Sequence, residues 1–235
     1  MGLRIVLSHP SHPGNIGAAA RAMKTMGFTD LALVAPRHFP DPDATAMAAG
    51  ATDVLASARV FDSLEAALAE CTLAAGFRAR GRELSHPPLA LRDAAPGLAS
   101  AATSGTLALV FGNETSGLSN AELALCQRFV SIPSNPAYGS LNLAAAVQVA
   151  CYELATVSSS HGLPQGGEGT PATGEDIAGL FARLESMAAA SGYLDPARPG
   201  RFIERMRRLF ARSGLEREEV KLIRGLLAAF EERMK

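Results

Sequence analysis

The chain has 235 residues, a net charge of −1 and 48% hydrophobic residues, enough for one large domain or one domain with an appendage around a real core. The charge balance argues against indiscriminate nucleic-acid binding while leaving room for a local basic patch, and the absence of tryptophan with only 6% aromatic residues excludes a broad base-stacking platform. Three scattered cysteines, Cys71, Cys126 and Cys151, predict a reduced, cytoplasmic protein; with no charged-then-apolar start and no apolar run of bilayer length, no membrane association is expected.

In chain order, residues 3–7 form a short apolar run that reads as a strand. A helix over residues 15–27 follows. It is entered through an irregular connection containing Pro10, Pro13 and Gly14, with Asn15 as a good N-cap. Ile16, Ala19, Met23 and Met26 line one face of it. Gly17, Arg21 and Lys24 share another by i,i+4 and i,i+3 spacing, with Gly17 leaving open space beside the Arg21 guanidinium. Residues 31–34 read as a strand, 63–70 as a helix, 72–76 and 106–111 as strands. Residues 119–126 read as a helix whose Ser119 and Glu122 have capping-box spacing. Residues 129–132 give a fifth strand and 141–154 a strongly apolar helix. Near-continuous apolar strands suit a sheet covered on both faces. Their alternation with helices predicts an α/β fold with a mainly parallel sheet and helices on both faces.

Residues 158–174 break the pattern. They are rich in Ser, Gly, Pro and Thr and read as a linker or a long mobile loop. They separate a domain over residues 1–157 from a small helical extension over 175–235, with helical segments at roughly 174–191, 199–213 and 216–234. In the middle segment Phe202, Met206, Leu209 and Phe210 fall at helical spacing, which calls for neighbouring helices. The same segment carries Arg198, Arg201, Arg205, Arg207, Arg208 and Arg212 against Glu204 alone. These cations read either as a solvated face or as phosphate contacts.

Three segments mix turn residues with polar side chains at strand-to-helix junctions, where α/β sheets bind ligands. In the first, Arg21 is either an exposed charge on an ordinary amphipathic helix or a group in a site. In the second, Glu122 is explained by the cap, whereas Glu114 has no local explanation; it reads as a helix-terminal charge, as a holder of a neighbouring loop's amides, or as a general base. In the third, Pro133 and Pro136 stiffen the loop and Gly139 permits an unusual backbone conformation. Ser140 is either an N-cap or, with Asn142, faces a ligand; Tyr138 either packs or meets a substrate. His9 and His12 lack further ligands nearby, so no metal is expected. No P-loop or dinucleotide-binding glycine pattern occurs, and Ser8-His9 and Cys126 lack the context of an activated nucleophile.

Taken together, residues 15–21 (Asn-Ile-Gly-Ala-Ala-Ala-Arg), 111–119 (Phe-Gly-Asn-Glu-Thr-Ser-Gly-Leu-Ser) and 132–143 (Ile-Pro-Ser-Asn-Pro-Ala-Tyr-Gly-Ser-Leu-Asn-Leu) resemble the three motifs of the SpoU/TrmH branch of the SPOUT RNA methyltransferases. Residues 22–27 and 135–138 bring the likeness nearest to its TrmJ-type tRNA members. The resemblance covers roughly residues 1–155. It implies a trefoil knot in the C-terminal part of the α/β domain, an exception to the usual threading rule. It also implies S-adenosylmethionine bound in that knot, and a homodimer with the site at the subunit interface. Carried onto this sequence, the cofactor pocket comprises Phe77, Arg78, Ala79, Gly112, Ile132, Gly139, Ser140, Leu141 and Asn142. The catalytic centre comprises Arg21 and Asn15 with Glu114, Ser140 and Asn142. RNA contacts fall to Lys24, Tyr138, Arg201, Arg205 and Arg208. The implied activity is methylation of a ribose 2′-hydroxyl of tRNA, at anticodon-loop position 32. Methylation of ribosomal RNA or of another tRNA site is one alternative, and a knotted, non-catalytic RNA-binding or assembly protein is another. Two departures stand out. Phe77 replaces a hydroxyl-bearing residue common in the family, and Asn113 replaces an arginine common in the TrmJ type.

Overall fold

The computed structural model describes residues 2–78, 87–135, 137–159, 169–195, 201–211 and 213–233. Its centre is a seven-stranded sheet, β1 (Gly2–Ser8), β2 (Asp30–Val34), β3 (Arg59–Phe61), β4 (Leu73–Phe77), β5 (Leu89–Ala90), β6 (Thr106–Phe111) and β7 (Arg128–Ser131). The strand order is β3-β2-β1-β6-β4-β7-β5, and every pairing is parallel. Alternation along the strands feeds two cores. Ile5, Leu7, Leu107 and Leu109 face one side, and Val6, Ala108 and Val110 the other. The first face is covered by α1 (Pro13–Thr25), α2 (Pro42–Ala48), α3 (Thr52–Ala56), α5 (Leu91–Ser104) and α7 (Leu143–Ser159). The second is covered by α4 (Leu64–Leu68) and α6 (Asn120–Ala124).

The five expected strands are present, as are the helices that follow them. Short elements escaped the sequence pattern: β3, β5, α2 and α3. So did the long helix α5, which carries Pro96 and Gly97 in its interior. Both lie on its outward side, while Leu91, Ala94, Ala95, Leu98, Ala99 and Ala102 form a continuous buried face at helical spacing. Tertiary packing of that face overrides the local cost of the two residues.

At the amino ends of the strands a buried cation joins four elements. Arg4 is 3% exposed. It donates to Asp30 on β2 (3.1 Å), to Glu70 (2.8 Å) and to the Ala67 carbonyl of α4 (2.8 Å). Arg59 of β3 bridges the same two carboxylates. Such a cation is tolerated inside only because its donors are met.

Beyond the sheet lie α8 (Gly174–Ala190), α9 (Phe202–Ala211) and α10 (Arg217–Arg233); α8 and α10 share a small core of Leu180, Val220 and Ala172 with Ile177, Leu184, Ile223 and Leu227 around it. In α9 the expected stripe is only partly met. Phe210 meets Phe181 edge-on at 6.0 Å and Phe202 meets Tyr193 at 5.6 Å, but Leu209 stays 54% exposed. Arg207 is not on a solvated face; its guanidinium lies 4.7 Å over the Phe181 ring.

Two expectations about α1 are corrected. The helix begins at Pro13, whose missing N–H suits the first turn, with His12 rather than Asn15 at the cap position and no capping side chain. Gly17 is buried, and a Cβ added there would stand 2.0 Å from the Ala44 carbonyl oxygen of α2. The glycine therefore serves the α1–α2 crossing and leaves no space beside Arg21. Gly17→Ala should destabilise the fold by about 1–3 kcal/mol, since the obstacle is backbone; urea unfolding followed by circular dichroism checks this, and an unchanged midpoint contradicts it.

Candidate active site

Parallel pairing of β1 with β6 places their carboxyl ends side by side. The loop from Ser8 to Pro13 thereby lies against the loop after Phe111. Glu114 is the hub. Its Oε2 accepts from the Ser11 amide (2.9 Å) and hydroxyl (2.8 Å), and its Oε1 from the His12 amide (3.2 Å) and Asn15 Nδ2 (2.9 Å). Asn15 Oδ1 in turn accepts from Asn142 Nδ2 (2.9 Å). Asn142 Oδ1 accepts from the Ala144 and Ala145 amides at the start of α7. One hydrogen-bonded chain, Glu114–Asn15–Asn142, thus links all three motif segments. Of the sequence readings of Glu114, holding a neighbouring loop's amides is the one that matches this geometry. Ser11 and His12 were not foreseen as its donors, because nothing local in the sequence pairs them with a residue a hundred positions away.

The cap of α7 falls to Asn142, not Ser140, whose side chain is exposed with no hydrogen bond among the described residues. Gly139 does not use a left-handed backbone. That conformation occurs at Gly117, φ +67°, which closes the second-motif turn. There the Gly117 amide donates to the Asn113 carbonyl (2.8 Å). Gly112 is required by proximity, since a Cβ there would meet the Gly117 carbonyl carbon at 2.2 Å. Asn113 has its own role in this chain. Its Nδ2 donates to the His9 carbonyl (2.8 Å) and its Oδ1 accepts from the Thr115 amide (2.8 Å).

Sheet order β6-β4-β7 brings Gly112, Phe77 and Ile132 to neighbouring strand ends. Phe77 stacks on Phe111 with centroids 4.2 Å apart. Phe77 and Ile132 are both half-buried against the main core, and Leu141 is exposed. This gives an apolar floor edged by loop backbone. The Arg78 side chain turns inward: it is 7% exposed and its guanidinium sits 5.6 Å over Phe129, which leaves its backbone as the part that could serve the expected pocket. Ala79 lies outside the described residues.

Arg21 is exposed and makes no side-chain hydrogen bond or ion pair among the described residues. It stands six residues beyond Asn15, roughly 240° round the helix, so the one chain does not join it to the Glu114 cluster. Lys24 is engaged elsewhere, by Asp53 (2.8 Å) and the Gly50 carbonyl (2.9 Å). Tyr138 is 83% exposed. Arg201, just before α9, and Arg205 and Arg208 on it are exposed and remote in sequence from the three motifs.

Glu122 completes the capping box with Ser119. It also accepts from the buried Ser8 hydroxyl, which contacts His9 Nδ1 at 3.0 Å. The cysteines are free and buried; burial pushes the Cys126 and Cys151 thiols up to about 12 and that of Cys71 to about 11, far from thiolate chemistry. No group of three or more His, Cys, Asp or Glu that could hold a metal ion occurs among the described residues, and no described helix is long and apolar enough to cross a membrane. A cavity of about 1030 Å³ lies at the amino ends of the strands under α8 and α9, away from the motif loops.

Burial tends to raise the Glu114 pKa, but the hydrogen bonds from Asn15 and Ser11 outweigh it and hold the carboxyl at about 2, below its ordinary 4.5. A depressed folded-state value means stability that is complete above pH 4.5 and is lost as the pH falls toward 2. Glu114→Gln should therefore lower Tm at pH 7 and flatten the loss of Tm between pH 4.5 and 2. Thermal melts across that range check it, and an unaltered acid limb contradicts it.

A family model for the SpoU rRNA methylase family matches residues 2–152, and one for the C-terminal domain of the tRNA methyltransferase TrmJ matches residues 175–235. The tRNA (cytidine/uridine/adenosine-2′-O-)-methyltransferase TrmJ of Pseudomonas aeruginosa is 44% identical over 236 residues, covering 96% of this chain and 92% of its own. The crystal structure of TrmJ from Z. mobilis superimposes with a TM-score of 0.85 at 34% identity, over 97% of this chain and 98% of that one. The SpoU methyltransferase AviRb of Streptomyces viridochromogenes, in complex with the cofactor AdoMet, is more distant, with a TM-score of 0.54 at 27% identity over 67% of this chain and 60% of its own. The chain belongs to the SpoU methylase family, and within it to the TrmJ-type members that carry this C-terminal domain.

Proposed function

We propose that this protein transfers a methyl group from S-adenosylmethionine to a ribose 2′-hydroxyl of tRNA, with residues 1–157 as the catalytic domain and 175–235 as a helical extension. The observation that carries this reading is the Glu114–Asn15–Asn142 chain, which holds the three family motifs in one cluster at the carboxyl ends of the strands. Full-length similarity to TrmJ proteins supports tRNA over ribosomal RNA. An anticodon-loop target at position 32, a cytoplasmic setting and a homodimer belong to the same reading. So does a trefoil knot, for which the insertion of β4 between β6 and β7 is a suitable frame.

The residues present fit the cofactor. The floor of Phe77 on Phe111 beside Ile132 suits a flat, uncharged adenine, and the open loop edge at Ser140 and Leu141 offers backbone groups for the rest of the nucleoside. Phe77 thus replaces a lost hydroxyl contact with stacking area. S-adenosylmethionine supplies, when bound, a methyl carbon activated by its sulfonium leaving group. Bonding of the substrate oxygen to that carbon would release the sulfur as a neutral thioether, and the hydroxyl proton would have to leave. Arg21 is a poor base because a guanidinium hardly deprotonates. Its role is to orient the substrate phosphate and to stabilise the developing alkoxide, while a substrate phosphate or water takes the proton. Glu114 is a positioning residue, being held ionised by the loop it organises. Arg21 is exposed and makes no hydrogen bond to the Glu114 cluster of its own chain, which is compatible with a site completed across a dimer.

Arg21→Ala should cut turnover at least about a hundredfold while cofactor affinity, read by calorimetry, stays within about threefold. Near-normal turnover would overturn the assignment. Labelled cofactor with total tRNA or ribosomal RNA, followed by digestion and mapping, reads the substrate and the nucleotide; label confined to ribosomal RNA, or no transfer at all, favours the alternatives. On α9, Arg201→Ala with Arg205→Ala should weaken tRNA binding roughly tenfold and reduce its salt dependence; filter binding at two salt concentrations decides, and an unchanged salt slope removes α9 from the interface.

A further inference from the structure

α10 buries one side and leaves the other without a partner among the described residues. Val220, Ile223 and Leu227 pack on α8, and Arg183 of α8 holds Glu231 at 2.8 Å. On the outward side Leu222, Leu226 and Phe230 are 70%, 51% and 50% exposed. They recur every four residues and so form one stripe. Gly225 and Ala229 lie beside it, and a Cβ added at Gly225 meets nothing within 4 Å, so a second helix can approach closely here.

Charge at the two ends of the stripe chooses the occupant. Glu218 and Glu219 stand at its amino end and Arg233 at its carboxyl end. Glu219 already accepts from the Glu216 amide and Glu218 from Lys221, yet both remain exposed. α10 carries Arg217, Lys221, Arg224 and Arg233 against Glu218, Glu219, Glu231 and Glu232, so the helix offers no net positive charge to draw RNA phosphates or anionic lipid. Leu222 and Phe230 lie four residues either side of Leu226, and Glu219 and Arg233 seven either side. A twofold axis through Leu226 in an antiparallel pair therefore sets Leu222 against Phe230 of the partner subunit and Glu219 against Arg233 of the partner subunit. A parallel pair would oppose like charges at both ends.

We infer that the outward stripe of α10 is a self-association surface that pairs antiparallel with α10 of a second copy of this chain. Three large side chains fall short of the roughly 800 Å² per partner of a stable interface. The contact is thus a secondary one, strengthened by tethering when two copies are already joined through their catalytic domains, and in that respect it rests on the homodimer reading above.

The test is oxidative cross-linking of the full chain. The native cysteines are free and buried, so an introduced surface thiol reports alone. With oxidised glutathione as oxidant, Leu226→Cys should form a covalent dimer at least tenfold faster than Lys221→Cys, which lies on another side of the helix. Adding Arg233→Glu to Leu226→Cys should slow that reaction several-fold. Light scattering gives the mass of the unmodified chain, and circular dichroism shows that each variant is folded. A dimeric mass with equal cross-linking of the two cysteines overturns the α10 pairing alone, and a monomeric mass overturns both it and the homodimer. If Leu226→Cys stays reduced while Leu226→Glu weakens tRNA binding, the stripe faces RNA and the inference is wrong.

Discussion

The site depends on one carboxylate being kept ionised at the junction of two loops. Glu114 collects two amides, a hydroxyl and a carboxamide from a single stretch, Ser11 to Asn15. An ionised acceptor surrounded by donors is stronger than neutral pairs, and it fixes where α1 starts. Asn15, relieved of any capping role, spends one end of its amide on Glu114 and the other on Asn142. Asn142 then caps α7. Through this relay the entry angles of α1 and α7 are set by a residue on neither helix. The relay exists only because β1 and β6 run parallel and adjacent, which delivers both loops to the same end of the sheet.

The two ends of the sheet are built on different physics. At the amino ends, Arg4 and Arg59 with Asp30 and Glu70 close β1, β2, β3 and α4 into a satisfied ion network. α8 and α9 cover part of that end. Arg128 of β7 donates to the Ala211 carbonyl at 3.0 Å, anchoring α9 to the sheet. At the carboxyl ends the polar groups belong to loops that are only half-buried, where a ligand can replace water. Rigid strands beneath adaptable loops are the usual arrangement for chemistry in α/β sheets.

The C-terminal helices add surface rather than core. α9 has no buried residue and keeps arginines outward, except Arg207, whose guanidinium is half-buried over Phe181 and whose pKa is lowered by desolvation. α10 keeps an apolar stripe outward. A sequence under pressure only to fold would bury the stripe and leave the charges scattered. The two faces make sense as surfaces for partners of different chemistry, an anion for one and an apolar helix for the other.

Much of this was legible in the chain alone. Apolar runs bounded by turn residues located the five main strands, because burial on both faces leaves an uninterrupted signal. The box Ser119-x-x-Glu122 was legible because it is local. What failed was non-local. α5 carries Pro96 and Gly97 in its interior, and only contact with α7 reveals that they face outward. Asn15 looked like a cap and Gly17 like an opening, since neither Glu114 nor Ala44 is near them in sequence. The sequence by itself determined the element types, the parallel sheet and the three motifs, all of which follow from short-range periodicity and composition. Only the tertiary structure decided which polar groups meet and that Arg78 and Arg207 turn inward, because those outcomes depend on strand order and helix crossing, which bring together residues far apart in the chain.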